Sequence, residues 1–265
     1  MRSARLIPGL AEPRLVKTRS LRPRPAVVLV AHGSRDPRAA ESTEALARAV
    51  RRARPEWLVR AAYLDHAGPR PLDVLAGLGA RRAVLVPLLL TSAYHGRVDL
   101  PAVVALASSL AADVVLAEVL GPPVGTPVRV PRLLLDGLVR RLPPAGFDGI
   151  VLAAAGTRDA AARGTVEHAA AALGARLGVP AAVSYSSGVG PRAGDAVRGL
   201  RELGARRVAV AGYFLAPGLL YDMAVESARE AGAVAVAEPL GDAPELVGLI
   251  SARVAAAGVR MAAAA

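Results

Sequence analysis

The sequence predicts an α/β protein of two duplicated flavodoxin-like lobes, each built on a four-stranded parallel sheet. Three observations lead there. Short runs rich in Val, Ala and Leu alternate with Ala- and Arg-rich segments of helical period, the pattern of parallel strands joined by helical crossovers. Hydrophobic residues make up 53% of the 265-residue chain but aromatic residues only 3%, so the core must be aliphatic, as in strands covered by helices on both faces. Finally, the second half of the chain repeats the first.

In chain order, the first strand is expected over residues 26–30 and a helix over 38–54. In that helix Thr43, Leu46, Ala47 and Val50 fall at i, i+3, i+4 and i+7, one buried stripe, with Arg48, Arg51 and Arg52 off it. A second strand is expected over 57–64, a helix over 71–78 and a third strand over 82–90. A helix follows Asp99, which with Pro101 reads as an N-cap and first turn. A fourth strand over 113–119 and a helix over 132–142 close the half.

The repeat rests on three pairs in the same order. LGARRAVLVPLLL (78–90) returns as LGARRVAVAGYFL (203–215), AHGSRD (31–36) as AAGTRD (154–159), and VVLAEVLG (114–121) as VAVAEPLG (234–241). Their offsets of 125, 123 and 120 residues agree too closely for chance in an Ala/Arg/Leu-rich chain. The Pro/Gly-containing break at 143–148 separates an N-terminal lobe (25–143) from a C-terminal one (144–265), behind a tail (1–24). A cleft between two lobes is the default ligand site.

Composition removes several function classes. The chain has no cysteine, which excludes disulfides, thiolate zinc sites, cysteine nucleophiles and an iron–sulfur cluster held by cysteine. Metal chemistry would have to use Asp, Glu or one of four histidines, His32, His66, His95 and His168. No apolar run approaches the roughly 20 residues of a membrane helix, and the first 24 residues lack a secretory signal's apolar segment. The expectation is a soluble, cytoplasmic protein with no membrane partner. Of the net charge of +11, the tail carries seven basic residues against Glu12. It reads as a disordered, solvated extension. A nucleic-acid partner is not expected, because the chain lacks aromatic platforms for stacking bases. The mildly basic remainder suits a polycarboxylate ligand. Oligomeric state is open, since two lobes in one chain form a cleft without a partner.

In open parallel sheets ligands bind beyond the carboxyl ends of the strands, where strand order reverses. With order 2-1-3-4, that point lies between strands one and three. His32 follows strand one, and His95 lies in the loop TSAYHG after strand three. Asp65 ends strand two. Two imidazoles and a carboxylate suit Co(II), Fe(II) or Ni(II), and a neutral imidazole accepts protons near neutral pH. Gly33 permits a sharp turn after His32, and Ser34 is placed to cap the next helix. Each residue also has a plainer reading: a hydrogen-bonded loop histidine, and for Asp65 a cap on the following helix. His66, one residue on, should point away and be solvated; His168 should lie on the wet face of a helix over 160–177.

VLVAHGSRDPRA, then AYLD, then VPLLLTSAYHGRVDLP resemble the sirohydrochlorin chelatase group of class II chelatases, relatives of ferrochelatase. The likeness covers most of residues 26–258 and implies a chelatase-like fold in the long, two-lobed form. It implies that Co2+ or Fe2+ is inserted, as a substrate, into an acidic tetrapyrrole with release of two protons, and that no organic cofactor is needed. The route would be cobalamin or siroheme biosynthesis. On that resemblance His32 and His95 bind and deliver the metal, and Asp65 assists where the family usually has Glu. Ser34, Arg35, Tyr94 and Arg97 line the substrate, the arginines facing its carboxylates. The second half departs from the pattern: Ala155 replaces His32, the loop APGLLYD (216–222) has no His, and Tyr185, Ser186 and Ser187 end strand two without an acid. That lobe should wall the cleft without its own metal site. Two other readings share some of these residues. A carrier of metal or tetrapyrrole would bind without turnover. A histidine-phosphatase-type enzyme also has His-Gly after strand one, but usually with Arg before the His, where Ala31 stands.

Overall fold

The computed structural model describes residues 24–78, 82–91, 100–107, 113–125 and 128–263. In the first half, β1 (Ala26–Ala31), α1 (Pro37–Ala53), β2 (Leu58–Tyr63), α2 (Pro71–Gly77) and β3 (Ala83–Pro87) alternate in order. They are followed by α3 (Leu100–Ala107), β4 (Val114–Leu116) and α4 (Arg132–Arg141). The second half repeats the alternation with β5 (Gly149–Ala154), α5 (Ala160–Leu177), β6 (Ala181–Tyr185), α6 (Ala193–Glu202), β7 (Val208–Tyr213), α7 (Leu219–Glu230), β8 (Ala235–Val236) and α8 (Pro244–Ala263). The strand orders are β2-β1-β3-β4 and β6-β5-β7-β8, every pairing parallel. This is the expected duplicated α/β fold with its switch points beside β1 and β5.

Local chemistry explains the element ends. Asp36 caps α1 by accepting from the Arg38 N–H at 3.0 Å, with Pro37 in the first turn. Asp159, its counterpart in the repeat, caps α5 by accepting from Ala162 at 3.1 Å. Ser34 therefore does not cap α1; its hydroxyl accepts from the Asp36 N–H at 3.0 Å and braces the turn that presents the cap. The buried stripe of α1 is Thr43, Leu46, Ala47 and Val50, as its periodicity requires.

Two strands are shorter than their apolar runs. β3 stops at Pro87, which has no N–H to give; Leu88 still donates to Val30, and then the chain leaves the ladder towards the cleft. β4 stops at Leu116, after which Leu120 and Gly121 both donate to the Leu89 carbonyl.

Alternation along β1 divides the core. Val28 and Val30 join Leu75, Leu85 and Leu100 on the outer face. Val27 and Leu29 face a larger core that runs into the second lobe, to Ile150, Leu152 and Ala211. The two halves also exchange their last helices: α8 packs on α1, β3 and β4, while α4 packs on α5 and β7. Leu134, Leu138, Leu240 and Leu246 are fully buried in this exchange. Among the described residues, no helix is long and apolar enough to cross a membrane.

Candidate active site

The carboxyl end of β1 hands the chain to His32 and Gly33 beside the end of β2. There the two loops are laced together through main chain. The His32 carbonyl accepts from the Asp65 N–H at 2.8 Å. Gly33 has φ +96°, and a Cβ on it would lie 1.8 Å from the Asp65 carbonyl oxygen. Only glycine fits both the turn and the approach. Position 156 repeats the arrangement, with φ +99° and a Cβ position 2.0 Å from the Ser187 carbonyl oxygen.

Asp65 does not cap α2, whose N-cap is Arg70. Its carboxylate instead accepts from the His66 N–H at 2.8 Å. That bond, against an opposing loss of hydration and with help from the charges of His66, Arg70 and His32, holds the carboxyl below its ordinary range. It is an ionised group at the mouth of the site. His66 is exposed, as expected, but departs from the expected direction. Its ring does not point away but meets the His32 ring edge-on, with centroids 6.2 Å apart and planes at 83°. The alternation that predicted otherwise holds only within β2, which ends at Tyr63; by His66 the backbone has turned to φ +58°. A signal was available, because AYLDHAGPR (62–70) returns as SYSSGVGPR (184–192), with Gly188 opposite His66.

Three adjoining cavities meet at His32, Gly33 and Ser34. One of about 330 Å³ reaches across to the second lobe between apolar walls that include Leu90, Val166, Tyr213 and Phe214. A more open one of about 710 Å³ is polar at its rim, with Arg35, Asp36, His66 and Asp222. Ala155 lines both, so the residue in place of His32 faces the same space without a ligating group. Tyr213 donates to the Leu90 carbonyl at 3.1 Å, fastening the start of the post-β3 segment to the second lobe. Arg38 spans the cleft mouth, pairing with Asp36 and, at 2.6 Å, with Asp222. Sequence reasoning missed this clasp, because nothing local to either strand end signals a partner 184 residues away.

His95, Tyr94, Arg97 and Asp99 fall in residues 92–99, outside the described residues. Of the other predicted site residues, the structure brings His32, Ser34 and Arg35 to one cavity and Asp65 to the neighbouring strand end. Among the described residues no three His, Asp or Glu side chains converge into a ready-made cation site. His168 lies exposed on α5, its Nδ1 2.7 Å from the Gly164 carbonyl, as expected of a wet face. The loop expected over 216–222 is partly helical, since α7 begins at Leu219.

Comparison with known proteins places the chain. The CbiX family model matches it twice, over residues 26–137 and 149–257. A sirohydrochlorin cobaltochelatase from Methanococcoides burtonii is 26% identical over 83 residues, which is 30% of this chain and 63% of that protein. The chain thus spans under two thirds of that curated relative. SirB from Bacillus subtilis with Fe3+ superposes with a TM-score of 0.68 at 18% identity, covering 87% of this chain and 94% of SirB. The sirohydrochlorin chelatase SirB from Bacillus subtilis subspecies spizizenii, in complex with cobalt, superposes with the same score at 20% identity and the same coverage. At such identities the likeness establishes the shared two-lobed fold.

Proposed function

We propose, from the premise that this chain belongs to the CbiX family, that it is a chelatase inserting Co2+ or Fe2+ into sirohydrochlorin. The observation that carries this reading is the asymmetry of the cleft. His32 stands where three cavities meet, and Ala155 faces it from the repeated position in the other lobe. One lobe then offers the cation its ligands while the other walls the macrocycle.

The reaction exchanges two pyrrole N–H protons for one divalent cation. His32, with His95 from the post-β3 segment, takes the cation as a neutral imidazole. Asp65, ionised beside it, favours the cation's approach, and the two displaced protons leave to solvent through the open cavity. The apolar wall of Leu90, Val166 and Phe214 suits the face of a tetrapyrrole, and Ser34 and Arg35 at the rim suit its carboxylates. Tyr94 and Arg97 would act from the same segment as His95. Stripping water from the cation and turning the pyrrole nitrogens towards it are the costly steps. A cleft that is apolar on one side and ligating on the other serves both.

The test is anaerobic metallation of sirohydrochlorin by Co2+, followed by absorbance with substrate in excess over protein. Many equivalents of product per chain, formed faster than without protein, are expected. Product limited to one equivalent would make the protein a carrier and refute the enzyme reading. Running Co2+ against Fe2+ distinguishes the cobalamin route from the siroheme route.

A further inference from the structure

His66 occupies a backbone position made for glycine. The two post-strand loops share their main-chain bonds, within the loop and to the neighbouring strand end. Tyr63 donates to the Pro69 carbonyl as Tyr185 does to Pro191, and Asp65 donates to His32 as Ser187 does to Ala155. At the next residue both turn left-handed, with φ +58° at His66 and +74° at Gly188. The second lobe meets that conformation with glycine; the first meets it with a histidine, against the preference of side-chain-bearing residues. The ring so placed lines the open cavity with His32.

The two rings stand close to the spacing of a shared cation. With a metal–nitrogen bond of about 2.1 Å and a ring nitrogen about 1.1 Å from its centroid, two imidazoles on one ion have centroids about 4.5 Å apart at a right angle, about 5.2 Å at the tetrahedral angle and about 6.4 Å in line. His32 and His66 stand at 6.2 Å, so an approach of about 1 Å by one ring gives the tetrahedral spacing. Asp65 Oδ2 lies 3.5 Å from His66 Nε2, longer than a hydrogen bond, so the carboxylate stands beside one edge of the ring, within a short approach of the usual support of a ligating histidine, and leaves the other edge for the ion. We propose that His66 is a ligand for the incoming divalent cation, shared with His32 on the solvent side of the cleft and oriented by Asp65. This rests on the chelatase reading and deepens it. Asp65, a methylene shorter than the glutamate expected of it, then acts through the imidazole beside it and need not reach the ion.

The experiment is an anaerobic Co(II) titration of the full chain, the metal alone, with pulsed electron paramagnetic resonance to count bound imidazoles. His66→Asn and His66→Gly both remove the ring while tolerating the left-handed backbone, and His168→Asn is the control. Each His66 variant should bind Co(II) roughly 10- to 100-fold more weakly and lose one imidazole, with the melting temperature undiminished and the control unchanged. Affinity within about twofold of wild type and an unaltered imidazole count in both variants would overturn the assignment. Sirohydrochlorin metallation by the wild type, run alongside, separates the two levels. Co(II) binding that depends on His66 without turnover would sink the chelatase reading alone; turnover with His66-independent binding would sink this one alone. A wild type that binds no Co(II) overturns both.

Discussion

Replacing Gly33 with alanine should disable the site and destabilise the fold together. Its Cβ would lie 1.8 Å from the Asp65 carbonyl oxygen, at φ +96°. The left-handed backbone costs a non-glycine residue about 1–2 kcal/mol, and separating the loops forfeits the Asp65-to-His32 hydrogen bond, about 1 kcal/mol more. A loss of roughly 3 kcal/mol lowers the melting temperature by about 6–12 °C for a chain of this size. The repeat supplies the controls. Gly156→Ala meets the Ser187 carbonyl oxygen at 2.0 Å and should cost as much stability, yet should leave Co(II) affinity within about threefold of wild type. Gly188→Ala, whose nearest neighbour would be 3.6 Å away, should cost only about 1 kcal/mol. Differential scanning calorimetry and Co(II) titration on the three variants are the assay. A Gly33→Ala melting point within 2 °C of wild type, or equal loss of Co(II) binding in Gly156→Ala, would refute the reasoning.

Asp65→Asn should lower sirohydrochlorin metallation less than loss of either His32 or His95. Its effect on stability should depend on pH in one direction. A carboxyl held below its ordinary range stabilises the fold above the usual carboxylate pKa and loses that contribution as pH falls through its lower folded value. The denaturation midpoints of variant and wild type should therefore differ at neutral pH and converge in acid. Leu246→Ala, at a fully buried position of α8, should cost about 2–5 kcal/mol in urea denaturation. Because α8 covers the first lobe, the loss should weaken activity although no site residue has changed. Removal of residues 1–24 should leave turnover unaltered at moderate salt; a large rise in KM for sirohydrochlorin would show that the basic tail recruits it.

Periodicity carried the α1 stripe and the α5 limits, and the βα alternation carried the parallel pairing, while the order 2-1-3-4 came with the flavodoxin-like fold class. The stripe, the limits and the alternation depend on residues close in sequence. What was not legible depends on pairs far apart. The apolar faces of α4 and α8 signal burial but not which sheet receives them, so their exchange between halves has no local mark. The Arg38–Asp222 clasp is of the same kind. His66 is the instructive miss. Counting alternation past the end of β2 sent its ring the wrong way, whereas aligning it with Gly188 would have exposed the left-handed turn. Ser34 was the nearer hydroxyl to α1, but Asp36 adjoins Pro37, and the residue directly before the first-turn proline took the cap.

The measurement closest to the central claim is the anaerobic rate of sirohydrochlorin metallation by His32→Ala beside wild type and the reciprocal Ala155→His. Among the described histidines His32 is the one that lines all three cavities, so its loss should lower the rate by about a hundredfold or more with the fold retained by circular dichroism. Adding Ala155→His to His32→Ala should not restore it, because the second strand of that lobe ends in Tyr185, Ser186 and Ser187 with Gly188 in the place of His66, offering no acid or imidazole there. A His32→Ala enzyme that metallates at the wild-type rate in saturating Co2+ would contradict the account.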